Sequence, residues 1–281
     1  MGLTDLHMHS IISLDGEYRP AELARLCKKS GIETAALTDH NSVRGVKEME
    51  EEGGRLGIRV VRGIELDCCC EGLNLHILGY GIDIDDKRFA INEQELLKKK
   101  QEISSETIKL LLNMGIRFCV ERAMELSRDG IVVGEMIAEA ALEEPENMEN
   151  PLMRPYFPGG SRSDNPYVNF FWDFCSQGKP AFLPVSYMTA AQAISLIQDT
   201  GGTAVIAHPG VTVKRDEDKI EKLVMMGVAG IEVYSSYHSA DDRRYYGEIA
   251  RRYGLFQTMG SDFHGKTKPG VKMGSGCNMA V

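Results

Sequence analysis

The sequence has no apolar run long enough to form a transmembrane helix. Its 281 residues contain no stretch near the roughly 18 consecutive apolar residues that a transmembrane helix needs. The opening "MGLTDLHMHS" also lacks the basic region and apolar run of a secretory signal. We therefore expect no membrane partner and a cytoplasmic location.

Regularly spaced cysteines and an excess of positive charge are also missing. Seven cysteines without regular spacing do not form a disulfide framework, and the three at 68–70 are expected to be inert thiols. The formal net charge of −9 speaks against binding of long duplex nucleic acid. An anionic substrate held by metal ions is still compatible with this charge, because the charge of a site is local.

Short β-rich stretches alternate with amphipathic helical ones in the first part of the chain. "TDLHM" precedes a predicted helix at about 20–30, "ETAALTDH" precedes another at about 42–56, and the strands "IRVVRGIEL" and "LNLHILGYGID" follow. The alternation returns after "GKPAFLP" with the strands "TAVIAHPG", "VAGIEVYSS" and "LFQTMGSDFHG". Such repeats predict parallel strands in an α/β sheet or barrel.

The middle of the chain has a different pattern. A long charged helix is predicted from about 86 to 113, two shorter helical stretches follow, and a loop ends in "YFPGGSRSDNP". We therefore predict a small, mostly helical insertion domain over 86–177, between the two parts of an α/β domain at 1–85 and 178–281.

Six of the seven histidines lie at or just past the ends of predicted strands, and His76 lies within one. Carboxylates occur at the same places, and the carboxyl ends of parallel strands are where α/β folds build active sites. Mixed imidazole and carboxylate ligands suit zinc, manganese or iron, and nine ligands suffice for two or three divalent ions. The candidate ligands are His7, His9, Asp15, His40, Glu65, His76, His208, Asp262 and His264. Asp39 is expected to cap a helix or to support a ligand.

The ordered motifs "DLHMHS", "LTDHNS", "GIEL", "LHILGYGID", "AHPG" and "GSDFHG" resemble those of the PHP family, the polymerase and histidinol phosphatase domains. They are most similar to those of stand-alone bacterial phosphoesterases that act on nucleoside 3',5'-bisphosphates and short oligonucleotides. The resemblance implies a distorted (β/α)7 barrel, similar to a TIM barrel, with a helical insertion. It also implies three ion sites, held by His7, His9, Glu65 and Asp262; by Glu65, His76 and His208; and by Asp15, His40 and His264.

The same resemblance implies hydrolysis of phosphate esters through a hydroxide that bridges two ions. The implied substrate is a nucleoside 3',5'-bisphosphate or a short 5'-phosphorylated oligonucleotide, with Asp262 and His238 as catalytic residues. His238 follows "GIEVY" and would contact phosphate or protonate the leaving group, with a surface histidine as the alternative. Arg154, Arg162 and Lys179 surround the glycine-rich loop and are candidates for binding a second phosphate.

Two stretches leave the specificity open. Relatives commonly carry a "GRPH"-like stretch at the start of a helix of the insertion, whereas this chain has Gly134, Glu135 and Met136 there. After "GKPAFLP", where many relatives have a basic residue, this chain has Val185 and Ser186. The aromatic cluster "NPYVNFFWDF" either stacks a nucleobase or packs the insertion.

Three alternatives follow from these features. One is a phosphatase for histidinol phosphate or another small phosphomonoester, and another is a regulatory module without catalysis. An amidohydrolase is the third, but no lysine stands where such enzymes place a carboxylated one. The sequence does not define an oligomeric state.

Overall fold

A single mostly parallel sheet forms the centre of the computed structural model, which describes residues 3–275. Its order is β1-β2-β3-β4-β6-β7-β8, and β5 pairs with β3. The strands are β1 (Leu3–Asp5), β2 (Ile32–Leu37), β3 (Arg59–Cys70), β4 (Leu73–Tyr80), β5 (Met188–Thr189), β6 (Thr203–Ile206), β7 (Gly230–Ser235) and β8 (Phe256–Gly260). The predicted α/β class is confirmed.

Strand β4 departs from the parallel arrangement that the β-α repeats predict. It runs antiparallel to both β3 and β6. The cause is the two-residue connection Glu71–Gly72, whose φ angles of 49° and 78° are those of a tight hairpin turn. A parallel pair would need a much longer crossover. The hairpin places His76 directly opposite Asp67 of β3.

The two end strands of the sheet meet. The Leu6 amide donates to the Met259 carbonyl at 3.0 Å, and the Asp262 amide donates to the His7 carbonyl at 2.8 Å. The chain after β1 therefore lies beside the chain after β8. As a result, two pairs of predicted ligands from opposite ends of the sequence become neighbours.

Nine α-helices occur in the described part of the chain. They are α1 (Pro20–Lys29), α2 (Val46–Leu56), α3 (Lys87–Asn113), α4 (Val120–Leu126), α5 (Gly134–Leu142), α6 (Pro166–Phe170), α7 (Ala190–Asp199), α8 (Glu217–Met225) and α9 (Ala240–Tyr253). Helix α2 starts four residues later than predicted, since Asn41 adopts a φ of 56° and a turn follows it. Gly57 ends α2 in the left-handed conformation, as its position after the helix predicts.

Apolar side chains form several clusters on both faces of the strands. Helices α7, α8 and α9 pack on one face of β3, β4, β6 and β7, while α1 and α2 cover β2. The opposite face carries a smaller cluster from β2, β4 and β6 that includes Ala36, Leu78 and Val205. The middle helices have a cluster of their own, formed by residues between Ile108 and Ala181. None of the described helices is long and apolar enough to cross a membrane.

Candidate metal centre

The nine predicted ligands converge at the carboxyl ends of the parallel strands and on the β3–β4 hairpin. His7 and His9 follow β1, His40 follows β2, and Asp262 and His264 follow β8. The hairpin and the loop after β6 contribute Glu65, His76 and His208. Three groups of these side chains place their ligand atoms within 4.8 Å of one another. Alternation along a strand explains the pairs two residues apart, because both side chains face the same way.

The first group consists of His7, His9, Glu65 and Asp262, all buried. The Nε2 atom of His9 lies 3.1 Å from Glu65 Oε2 and 3.1 Å from Asp262 Oδ1. The Nε2 atom of His7 lies 3.1 Å from the same Glu65 oxygen. Two imidazoles and two carboxylates thus face one point, an arrangement that suits a divalent ion.

Glu65 belongs to a second group with its other oxygen. Its Oε1 atom lies 2.9 Å from His76 Nδ1 and 3.0 Å from His208 Nε2. The two oxygens of one carboxylate therefore face two different sets of histidines. This is the geometry required of a bridging ligand.

The third group differs from the set that the resemblance implies. His9, His40 and His264 lie together, so that His9 faces two groups. Asp15 joins them through His264, whose Nε2 is 3.2 Å from Asp15 Oδ2. All nine predicted ligands are therefore brought together.

Asp67 is a tenth candidate that the sequence reasoning missed. It forms a further group with His40 and His76, and its Oδ1 accepts a hydrogen bond from His40 Nδ1 at 2.9 Å. A signal for it existed in the sequence, because Asp67 follows Glu65 by two residues on the same strand face.

Several buried atoms of this cluster have no hydrogen-bond partner. They are His9 Nε2, Asp262 Oδ1 and His264 Nε2, each aimed at other ligand atoms. Buried polar groups are normally satisfied, and an orphaned atom calls for an explanation such as an ion. The donor set of imidazole nitrogens and carboxylate oxygens fits zinc, manganese or iron.

A polar network behind the ligands fixes their orientation. Asp39 accepts hydrogen bonds from the Ser10 amide at 2.7 Å and from Ser13 Oγ at 2.8 Å, and Ser13 Oγ lies 3.0 Å from His9 Nδ1. Glu232, which the sequence analysis did not single out, accepts from His7 Nδ1 at 3.0 Å. Such contacts fix the ring tautomer and hold a ligand in place. Asp39 thus supports ligands rather than joining them.

The charges of the cluster stabilise one another. Burial alone would lower the pKa of His7, but the carboxylates of Glu65, Glu232 and Asp262 raise it well above its ordinary value. Burial likewise opposes charge on Glu65, yet the surrounding histidines hold its pKa well below its ordinary value. A metal ion held by His7 would take the place of a proton on the ring, because a ligating imidazole is neutral.

Two ligands also have strained backbones. His208 has a φ of 23° and Asp262 a φ of 57°, which non-glycine residues rarely adopt. Strain of this kind concentrates at functional sites, where the surrounding structure enforces it.

His238, which we expected to contact phosphate or to protonate the leaving group, is bonded within the protein instead. It is buried, its Nδ1 donates to the Val233 carbonyl at 2.8 Å, and its Nε2 accepts from the Gly210 amide at 3.0 Å. Burial lowers the pKa of this imidazole, which agrees with a neutral ring. Both nitrogens are used within the protein, so His238 holds the loop after His208, and it is not among the described residues that line the cavity at the metal centre.

The three loop cations are not brought to the cluster either. Arg162 forms two hydrogen bonds of 2.8 Å with Asp173, and Arg154 lines a separate surface depression. Lys179 lies in the turn that precedes Ala181. None of the three is among the described residues that line the cavity at the metal centre.

That cavity has a volume of about 630 Å³ and contains other cations. Lys100 of α3 lies with its Nζ 3.6 Å from Asp67 Oδ2, and Lys268 lies with its Nζ 2.6 Å from Asp262 Oδ2. Tyr237 donates a hydrogen bond of 2.6 Å to the same Asp262 oxygen. Asp262 is therefore held by Oδ2, which leaves Oδ1 facing His7 and His9.

The unusual stretch at the start of α5 contributes one acid to this cavity. Glu135 lines it, and burial together with the negative charge of Asp15 raises the pKa of this carboxyl to about 8. Met136 is buried in the cluster of the middle helices instead. Val185, where the resemblance led us to expect a basic residue, also lines the cavity.

Comparisons with known proteins agree with this geometry. A family model described as PHP domain matches residues 5–126. The phosphoribosyl 1,2-cyclic phosphate 1,2-diphosphodiesterase of Eggerthella lenta is 31% identical over 94% of this chain and 95% of its own length. The 3',5'-nucleoside bisphosphate phosphatase of Chromobacterium violaceum is 30% identical over 98% and 91%. A sulfate-bound, metal-free structure from C. violaceum, described as an amidohydrolase, superposes with a TM-score of 0.79 at 27% identity, covering 96% of this chain and 90% of that one.

Proposed function

Because the chain belongs to the PHP family, we propose that it is a metal-dependent hydrolase of phosphate esters of nucleotide size. The observation that carries the proposal is the cluster around Glu65, whose two carboxylate oxygens face two separate groups of histidines. A site with a shared carboxylate fits paired ions better than a single one. Asp262 Oδ1 and His9 Nε2, which are buried 3.1 Å apart without a hydrogen bond of good geometry, support the same conclusion.

The ions are two or three in number under this proposal. His7, His9, Glu65 and Asp262 would hold the first, Glu65, His76 and His208 the second, and Asp15, His40 and His264 the third. Divalent ions in such sites lower the pKa of water and neutralise charge that develops on a phosphoryl group. Manganese, iron and zinc all suit the donors.

The remaining chemistry belongs to side chains of the protein. Tyr237 and Lys268 hold Asp262 in one orientation through Oδ2. Lys268 and Lys100 also line the cavity beside the ligands, where each can donate to a phosphoryl oxygen. In this proposal Lys100 and Lys268 bind phosphate, the role that the sequence predicted for Arg154, Arg162 and Lys179.

We further propose that the sheet is a distorted (β/α)7 barrel with a helical insertion at 86–177. The bonding of the β1 end to the β8 end supports closure of the sheet. A cluster on the strand face opposite α7–α9 supports an enclosed interior. The separate apolar cluster of the middle helices supports an insertion with a core of its own.

Two substrate classes agree with the relatives. The first is a nucleoside 3',5'-bisphosphate or a short 5'-phosphorylated oligonucleotide, which agrees with the name of the C. violaceum relative. The second is a cyclic phosphodiester of a phosphorylated ribose, and the 31% identity to the E. lenta relative favours its inclusion. Histidinol phosphate represents simple monoesters as a comparison substrate.

A panel assay tests this function directly. The manganese-loaded protein is incubated with adenosine 3',5'-bisphosphate, a 5'-phosphorylated RNA pentamer, 5-phosphoribosyl 1,2-cyclic phosphate and histidinol phosphate. We expect turnover of at least one nucleotide or cyclic substrate, and its loss after chelation. A protein that binds metal but hydrolyses none of the four would contradict the proposal and favour a regulatory module.

A further inference from the structure

The cavity at the metal centre is lined by two chemically different sets of residues. One set is the ligand cluster and the lysines, among them Lys100 and Lys268. The other is a wall formed by residues between Val168 and Val185, and none of the described residues of that stretch that line the cavity is charged. A ligand that contacts both sets needs an anionic part joined to an uncharged part.

The wall is rich in aromatic rings because of an irregular turn. Residues Phe171–Cys175 form a π-helical turn directly after α6. Phe170 and Phe174 are buried with a centroid distance of 4.7 Å and belong to the cluster of the middle helices. Phe171 and Trp172 line the cavity instead. Wide turns of this kind are frequent at functional sites.

A glycine allows this turn to approach α5. A Cβ atom on Gly134 would lie 2.9 Å from Cys175 Sγ and 3.3 Å from the Phe171 ring. The first of these distances is too short for carbon and sulfur in contact. Gly134, which stands in the stretch that departs from the relatives, therefore lets the aromatic wall and the start of α5 pack together.

Trp172 is the only tryptophan of the chain, and 45% of its surface is exposed. It contacts Phe171 edge to face, with ring centroids 5.6 Å apart and planes at 74°. The aromatic cluster "NPYVNFFWDF" is thus divided, with Phe170 and Phe174 in the core and Phe171 and Trp172 on the cavity. An indole exposed on a cavity offers a flat surface on which a planar ring stacks favourably.

We propose that Trp172, with Phe171 packed edge to face beside it, forms a stacking surface for the nucleobase of the substrate while its phosphate lies at the metal centre. This inference rests on the proposed function, since it presumes a phosphate ester in the cavity. It deepens that function by preferring a nucleotide to a cyclic phosphate of ribose, which has no base.

Binding measurements on the metal-loaded protein test the stacking surface. The probes are AMP, ribose 5-phosphate and inorganic phosphate, studied by calorimetry and by quenching of the Trp172 fluorescence. We expect AMP to bind at least about fivefold more tightly than ribose 5-phosphate and to quench the emission. In Trp172→Leu we expect AMP and ribose 5-phosphate to bind equally, with unchanged affinity for inorganic phosphate.

Two further variants complete the design. Trp172→Tyr keeps an aromatic face and should restore most of the preference for AMP. Phe256→Leu is a matched control, since Phe256 is 43% exposed on β8 and does not line the cavity. It should bind all three probes as the unaltered protein does.

The outcomes separate this inference from the proposed function. If phosphate binds and esters are hydrolysed, but AMP is not preferred or does not quench the emission, the stacking surface is refuted and the function stands. Equal losses for AMP, ribose 5-phosphate and phosphate in Trp172→Leu would also refute it. If no ester is hydrolysed while AMP still binds better than ribose 5-phosphate, the function fails and the surface stands.

Discussion

Replacement of Lys268 by methionine tests which cation meets the substrate. The side chain is 16% exposed, and its Nζ lies 2.6 Å from Asp262 Oδ2. Methionine fills a similar volume without charge, so the change removes the ammonium group and little else. The Tyr237 hydroxyl still holds Asp262 in the variant.

The magnitude follows from the kind of contact that is lost. A hydrogen bond to a charged group contributes about 1.5–3 kcal/mol, and each 1.4 kcal/mol is a factor of ten. We therefore expect kcat/KM for adenosine 3',5'-bisphosphate to fall about 10- to 150-fold. If Lys268 acted only by holding Asp262, its replacement would instead lower the affinity for metal. The loss in kcat/KM would then disappear at saturating manganese.

The assay compares kcat and KM at saturating manganese, with metal content measured for each protein. Lys266→Met is the matched control, because Lys266 is 42% exposed and pairs with Glu139 rather than with a ligand. It should keep the kinetics of the unaltered protein. Unchanged kcat/KM in Lys268→Met, or an equal loss in Lys266→Met, would show that Lys268 does not contact the substrate.

Four other predictions follow, three on the candidate ligands and their support and one on helix α9. Asp262→Ala and His7→Ala should abolish hydrolysis while circular dichroism shows an intact fold; full turnover with verified metal content would contradict the ligand assignment. Asp67→Asn should weaken the binding of one ion about 10- to 100-fold, because the change removes either a ligand or the support of one. A competition titration with a chelator measures this affinity, and an unaltered value would exclude both roles for Asp67. Gly260→Ala would place its Cβ 2.1 Å from the Cβ of His7. We therefore expect the free energy of unfolding to fall by at least about 3 kcal/mol and the metal content to be reduced. Gly247→Ala, inside α9 with nothing within 4 Å, should instead stabilise the protein by about 0.5–1 kcal/mol, and thermal unfolding of both variants checks the opposite signs.

The sequence allowed prediction of which histidines and carboxylates come together better than of their surroundings. Alternation along a strand shows which residues share a face, so pairs such as His7 and His9 were recognisable. The same alternation does not give strand direction, and the antiparallel β4 was therefore missed, although Glu71–Gly72 was a readable turn signal. Asp67 was missed with it, because its place opposite His76 depends on the hairpin register.

The cations and His238 show a different limit. A lysine at position 268 resembles any other surface lysine in sequence, and only the fold brings it to Asp262. His238 lies just after a strand, as the ligands do, but that position does not determine where the ring points. The long helix α3 was predicted within one residue, since its periodic pattern spans many turns.

The meeting of the two end strands has a consequence for how the protein matures during synthesis. His7 and Glu232 are separated by 225 positions, and Asp5 and Ser261 by 256. A growing chain folds from its N-terminal part, so His7 and His9 leave the ribosome long before their partners exist. Closing so long a segment is slow, because its entropy must be lost before any contact compensates for it. Under the proposed function, the group of His7, His9, Glu65 and Asp262 is therefore complete only after residue 262 has been made, so a nascent chain that stops short of β8 would lack this ion site.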